Sequence, residues 1–580
     1  MKKILVFGIL IAVSINSFAA ADSEVQRNID ARYKDMLRRQ EIENRTKFLT
    51  PQESPQESPQ EQTPQIQETS SMPKRRFKEI EVRRANTSNI SNAKINKIIS
   101  PYKNIPIGMS EIGDIQTRLQ NLYVQSGYSS TRIYIDANTM PDDILTFVIM
   151  DGYIESIVFK NAKGKKYGRL ANALQSFSFY PFACGELLDM RDIDQGTEQI
   201  NRLSSNNASV EIIPSGKDGY SIIEIKNSSG KKFSLSLGAD NGGTANTGIY
   251  KANSSLSADN LLMLNDALYF NYSRNIDGNS DSKENNSYFG SLTVPFGYFT
   301  FMLSAFNSDY TSPAGTSYGS YTSDGSTKNK NASLEIVIKR AQTHKVSAGA
   351  ETAIKENENF FAGEKVDVSS KKLVTSSAFL TATYLMEGAM LYGKLSYVRG
   401  LDIFDAAKNS GVFGAPQAQF NSCSLYAQYS HSFILPFLKI NASYACALNG
   451  QYSPDILYGS EQITLGGQGS VRGFKDTSVS GESGFYLRND LSWKLSDIFK
   501  KEGFLKILTA ATLNAFIDYG YARNDAYGAD YQLAGAGAGL SYRIKYFNAS
   551  VVWSKAIYNL SDLEYEGNVV YFSFEGKIYF

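Results

Sequence analysis

From about Lys231 to Phe580 the chain alternates apolar and polar side chains with period two, and clusters of Gly, Asn, Asp and Ser interrupt the alternation. In Leu261–Tyr272 the set Leu262, Leu264, Leu268, Phe270 and Tyr272 falls on one face. In Val569–Phe580 the residues Val570, Phe572, Phe574, Ile578 and Phe580 share one face, and Ser573, Glu575 and Lys577 share the other. Such strands have one face suited to lipid and one suited to a wet lumen. The interruptions differ in length. Asn275–Asn286 and Thr311–Lys330 read as long polar turns and Val294–Phe299 as a tight one, the rhythm of a membrane β-barrel with long loops at one end and short turns at the other. Residues 229–580, at roughly 20–22 per strand and turn, predict roughly 16 antiparallel strands. A soluble β-sandwich would repeat about every 100 residues, and no such period is present.

Upstream the pattern changes twice. Between Phe77 and about Lys226, helical spacing alternates with short strands in two units of roughly 75 residues, 77–151 and 152–228. In the first, Ile107–Tyr128 predicts a helix capped by Ser110, with Ile112, Ile115, Leu119 and Leu122 on one face, followed by the strands Thr131–Asp136 and Ile144–Met150. In the second, Asp151–Asn161 predicts a strand, Leu187–Ser205 a helix, and Ser209–Ser215 and Tyr220–Lys226 two further strands. Further upstream, residues 22–49 predict an amphipathic helix carrying Val25, Ile29, Tyr33, Met36 and Leu37. Residues 50–76 contain the Pro/Gln/Ser repeat Pro51–Gln65, a mobile linker that cannot build a core. Lys2 and Lys3, the apolar run Ile4–Ile15 and the small residues Ser17–Ala21 predict a cleaved signal peptide over 1–21.

Composition narrows the function. Lys plus Arg number 59 against 58 Asp plus Glu, a net charge of +1, without the basic excess of a nucleic-acid binder. No later stretch is apolar for long enough to cross a bilayer as a helix, so insertion requires a barrel. With 36 Tyr and 33 Phe but 2 Trp, the balance suits a bacterial outer-membrane barrel better than a cytosolic enzyme. Only His344 and His431 are available as bases, no GxSxG occurs, and the Gly-rich Gly466–Gly473 lacks the GK[ST] of a phosphate loop. These features predict no catalysis, no metal and no cofactor. Cys184, Cys423 and Cys446 have no metal-ligand spacing. Cys423 and Cys446 read either as a cross-strand disulfide or as two small apolar residues facing lipid.

Four segments carry a family resemblance. Leu187–Ser205 with Asp151–Asn161, Ser291–Tyr310 with its Pro-Phe-Gly turn, LGGQGSVRGF (Leu465–Phe474) and FIDYG (Phe516–Gly520) resemble the outer-membrane transporters of two-partner secretion. These are the haemolysin and filamentous-haemagglutinin secretion/activation proteins of the BamA-like superfamily. The resemblance implies two α+β periplasmic POTRA domains ahead of the transmembrane barrel. It also implies an N-terminal helix that plugs the pore, and a lumenal loop tipped by Val471, Arg472, Gly473 and Phe474. On the barrel wall Phe516, Asp518 and Gly520 would face that tip, with Arg472 reaching Asp518. The chemistry is coherent, since a guanidinium in a confined pore needs a carboxylate. Gly466, Gly467, Gly469 and Gly473 would let the loop thread inward, and Gly535, Gly537 and Gly539 would leave room for it. The implied partners are a secreted exoprotein with a β-helical secretion domain, outer-membrane lipid and the barrel assembly machinery. The alternative is an outer-membrane assembly insertase of the BamA kind, for which a plug helix on a Pro-rich tether would be out of place.

Overall fold

A computed structural model describes residues 26–41, 74–84, 90–277, 283–316, 319–367, 369–435, 440–497, 509–560 and 566–580. The expected signal segment and the Pro-rich repeat lie outside these residues, as do both ends of the N-terminal helix, described over 26–41 (α1).

The first of the two upstream units is a three-stranded sheet. Glu79–Arg83 runs parallel to Ile144–Met150, which pairs antiparallel with Arg132–Asp136. Helices α2 (Asn92–Ile99) and α3 (Met109–Gln125) cover it. On α3, Ile112, Ile115, Leu119 and Tyr123 recur every three or four residues and are buried against Leu145 and Phe147. Full burial of each such side chain contributes roughly 1.5–3 kcal/mol. The cap differs from expectation. Ser110 lies inside the helix, and Gly108 is the N-cap, its N–H donating to Glu111 Oε2 at 2.8 Å. A carboxylate three residues in answers the orphan N–H groups better than a hydroxyl already within the first turn.

The second unit repeats the plan. Tyr153–Asn161 runs parallel to Tyr220–Asn227, and Ala208–Pro214 pairs antiparallel on the other side. Two helices, α4 (Arg169–Phe179) and α5 (Met190–Asn201), pack on the sheet. They approach so closely that a Cβ on Gly196 would lie 2.4 Å from the Phe179 ring.

The C-terminal region is a closed antiparallel barrel of sixteen strands, leaving aside the two-residue segment Glu364–Lys365. The first strand, Phe233–Asp240, pairs with the last, Asn568–Tyr579, and closes the ring. Alternation holds along the last strand, where Val570, Phe572, Phe574 and Ile578 are exposed on the outer surface while Val569 and Tyr571 are buried.

Three expectations change. Leu262 and Leu264 do not belong to a strand, which begins at Ala267. The Asp266 carboxylate accepts the N–H groups of Leu261 and Leu262 at 3.0 and 2.8 Å and curls this stretch into a turn. Thr311–Lys330 is not a long turn but mostly a continued ladder between Phe299–Thr316 and Gly319–Arg340. Both faces of this hairpin are polar, so the apolar period vanishes from the sequence while backbone pairing continues. Finally, the hairpin ladder closes at Leu435↔Ile440 and sets Cys423 opposite Tyr452 and Cys446 opposite Tyr429, and all three cysteines are free.

Candidate functional site in the barrel lumen

Between the strands Ile440–Tyr452 and Ser483–Lys494 the chain turns into the lumen. A short hairpin, Ile463–Leu465 against Val479–Gly481, forms its stem. Ile463, Leu465, Val471, Phe474 and Val479 bury against Tyr486, Ala522, Leu533 and Ala556 of the wall. The loop is therefore seated by an apolar cluster before any charge is considered. Its tip turns at Gly473, whose φ of 110° few other residues adopt, and a Cβ there would lie 2.8 Å from the Ala556 nitrogen.

Arg472 extends from this tip to Asp518. Nε donates to Oδ2 at 2.6 Å, Nη2 to Oδ1 at 2.7 Å, and the Arg472 backbone N–H to Oδ2 at 3.1 Å. The geometry is the parallel fork in which a guanidinium binds a carboxylate most strongly. The guanidinium carbon lies 3.6 Å from the Phe516 ring centroid, a cation–π contact. Asp518 is fully buried and Arg472 is 5% exposed. The strand Ala511–Asn524 turns Phe516, Asp518 and Gly520 to this side and leaves Ile517 exposed outside.

The small residues of the wall do unequal jobs. A Cβ on Gly535 would meet the Arg472 carbonyl oxygen at 1.6 Å, and one on Gly520 would meet Val471 Cγ2 at 2.9 Å. Gly537 instead makes room for the Trp553 carbonyl oxygen and the Phe516 ring, at 2.1 and 2.5 Å from a hypothetical Cβ, and Gly539 for Asn514. Only Gly535 of that trio touches the loop tip directly.

Helix α1 lies in the same lumen. Gln26 Nε2 donates to Asn357 Oδ1 at 3.2 Å, Gln40 bonds Ser291 at 2.5 Å, and Glu41 accepts from Tyr392 at 2.6 Å. Ser291 and Tyr392 lie toward the strand ends that face the two upstream units, so α1 runs down the lumen toward them, its 16 residues spanning about 24 Å. One face carries Ile29 and Tyr33 against Phe289 and Phe306, with the Tyr33 and Phe306 rings stacked at 4.9 Å. The other face is cationic. Arg27 donates to Ser480 and Lys34 to the Ser460 carbonyl of the lumenal loop, and Arg38 donates to Tyr486 and Asn449 of the wall.

The model of the haemolysin secretion/activation protein family ShlB/FhaC/HecB matches residues 219–542, which include the loop and the strand that carries Asp518. The chain belongs to this family. A ShlB-type POTRA domain model matches residues 76–159 and a POTRA domain model residues 153–214. The transporter is 29% identical to the outer membrane transporter CdiB of Dickeya dadantii, over 73% of this chain and 72% of that one. It is 27% identical to the hemolysin transporter protein ShlB of Serratia marcescens, over 67% of each chain. The solved structure of CdiB from Escherichia coli superimposes with a TM-score of 0.80 at 24% identity, covering 95% of this chain and 98% of that one. The transporter is thus an outer-membrane barrel with periplasmic POTRA domains.

Sequence reasoning missed three parts of the site. Asp490 Oδ1 accepts from Arg472 Nη1 at 2.7 Å, so the guanidinium is held by two carboxylates. Alternation along Ser483–Lys494 could have placed Asp490 inward, since it pairs directly with Phe516. Glu566 receives the consecutive N–H groups of Lys475, Asp476 and Thr477 at 2.6, 3.0 and 2.7 Å, a contact between distant segments that no local pattern announces. The third is the docking of the second POTRA unit. On α5, Gln195 donates to the Gly297 carbonyl at 3.2 Å, Arg202 donates to the Asn265 carbonyl at 2.7 Å, and Glu198 pairs with both Arg340 and Lys345. Burial pushes Glu198 up, but the two cations hold its carboxyl below the ordinary value. Burial lowers Arg202 to about 10 against the opposing pull of Asp259 and Asp266.

Proposed function

We propose that the transporter captures an unfolded exoprotein with a β-helical secretion domain through its POTRA units and passes it outward through the barrel once α1 has left the lumen. The observation that carries this reading is the position of α1, lodged in the barrel lumen and joined in sequence through residues 50–76 to the first POTRA unit. On this reading α1 is the resting plug and the Pro-rich segment its tether. The loop anchored by Arg472 narrows and orients the path.

The POTRA units offer outer strands for β-augmentation, Glu79–Arg83 and Arg132–Asp136 in the first and Ala208–Pro214 in the second. Backbone hydrogen bonds to such a strand supply affinity and neighbouring pockets supply selectivity. One apolar groove beside α3 is lined by Phe77, Ile107, Ile112 and Met140. Folding of the exoprotein outside the cell supplies direction, since the barrel carries no nucleotide loop. Relatives bearing the name hemolysin transporter support a partner of the haemolysin or adhesin type.

The test is deletion of the chain from its host. Loss of one large exoprotein from the medium, with other barrels intact, is the expected result. Depletion of many outer-membrane barrels would overturn the reading in favour of an assembly insertase.

A further inference from the structure

The outer face of α4 is unusual for a periplasmic helix. Leu170, Ala173 and Phe177 recur at i, i+3 and i+7 and are exposed, where a surface helix ordinarily carries polar residues. Just beyond, Phe182 is 81% exposed and adopts φ 61°, a left-handed conformation that costs a bulky side chain energy and clusters at functional places. Residues 170–185 contain no charged side chain, whereas Lys163, Lys165, Lys166 and Arg169 precede them.

The surroundings say what this face meets. Phe177 has its ring centroid 6.0 Å from that of Phe182 and 4.4 Å from that of Phe296, which in turn lies 6.4 Å from Phe299. Phe296 and Phe299 are the closing pair of the hairpin at the POTRA end of the barrel. Phe289 and Phe306 on the same two strands contact Tyr33 inside the lumen. Phe289 and Phe296 lie seven positions apart, as do Phe299 and Phe306, an odd offset that turns Phe296 and Phe299 outward, toward lipid. The row of rings therefore continues the lipid-facing rim of the barrel onto the second POTRA unit. Its position is braced, because Gly297 donates to the Ser178 carbonyl at 3.0 Å and its Cα faces Pro181 so closely that a Cβ would lie 2.7 Å from that ring.

We propose that α4 and Phe182 form a membrane anchor resting in the periplasmic leaflet of the outer membrane. The occupant of this face is phospholipid. Continuity with the lipid-facing rim and the uncharged run support it, as does the preceding basic cluster, suited to anionic headgroups. The anchor holds the second POTRA unit at a set height and tilt, independently of what the barrel transports. Interfacial apolar side chains of this kind bury about 5–10 Å into the headgroup and acyl boundary.

Full-length protein with Cys423→Ala and Cys446→Ala, reconstituted in phosphatidylethanolamine/phosphatidylglycerol vesicles, tests this. An environment-sensitive nitrobenzoxadiazole dye is placed at Phe182→Cys in a Cys184→Ser background, or on Cys184 with Phe182 retained. The solvent control is Asp218→Cys with Cys184→Ser, on the far turn of the same unit. The expected result is quenching at 182 and 184 by lipids carrying a nitroxide near the headgroup, with iodide quenching about threefold weaker than at 218. Iodide quenching equal to that at 218 would overturn the proposal. So would shielding from both quenchers, which would mean that protein covers the face.

Discussion

The lumenal loop and α1 occupy the same pore, yet they are held by different physics. The loop is seated by a dry cluster, by glycines that admit its backbone at contact distance, and by a buried Arg472 shared between Asp518 and Asp490. Helix α1 has one small apolar face and otherwise polar and charged contacts at its periphery, spread over many strands, such as Arg38 with Tyr486 and Asn449 and Glu41 with Tyr392 and Lys394. Dispersed polar contacts can be exchanged for water at little net cost, whereas a buried charge stripped of its partner cannot. The contrast suits a loop that stays and a helix that leaves.

The largest expected effect comes from breaking the stronger seat. Arg472→Ala leaves Asp518 buried without its guanidinium and is expected to cost about 3–5 kcal/mol locally. The barrel should still insert, while exoprotein secretion falls and protease sensitivity rises within residues 453–482. Normal secretion with an unaltered cleavage pattern would show that the pair does not anchor the loop.

Next comes overpacking of the same seat. Gly535→Ala forces its new methyl against the Arg472 carbonyl and should cost about 1–3 kcal/mol. A lowered thermal midpoint is expected, with Gly539→Ala, whose methyl would meet the Asn514 side chain rather than the loop tip, as the comparison. Equal behaviour of the two variants would remove the distinction drawn between these glycines.

The weaker occupant should respond more gently and in the opposite sense. Tyr33→Ala removes the stacking on Phe306 and should release α1 by about 1–2 kcal/mol. In planar bilayers this should appear as roughly tenfold more frequent channel opening. The thermal stability of the barrel should not change, and a closed pore with a lowered melting point would reverse the assignment of roles.

The smallest effect concerns the second POTRA unit on the barrel. Glu198 has a depressed pKa when docked, so its contribution is fully present above its ordinary value of 4.5 and is lost as pH falls through the lower docked value. Acidification below that range should loosen the unit, seen as faster proteolysis between it and the first barrel strand. Glu198→Gln should remove this pH dependence while Glu211→Gln, on an outer strand of the same unit, should keep it.

Much of this was legible in the residues. Period-two alternation announced the barrel, and the heptad-like spacing of Ile112, Ile115 and Leu119 announced α3, because burying one face leaves a regular trace. It failed at Leu262 and Leu264, where Asp266 curls the backbone, and along Thr311–Lys330, where a strand wet on both faces leaves no apolar period. Ser110 was misread because a cap depends on where the first turn begins. The loop motif pointed to Arg472 and Asp518, but neither Asp490 nor Glu566 lies in a segment whose local pattern names a partner.

By itself, the sequence determined the order of parts and the two faces of each strand, since both follow from local periodicity and from the balance of apolar and polar groups. Only the tertiary structure decided the register of the hairpins, the second carboxylate on Arg472, the contacts that seat α1 and the docking of α5 on the barrel turns. Those depend on which distant segments meet when the sheet closes. Closure is set by the summed register of sixteen strands, and no single stretch of chain encodes it.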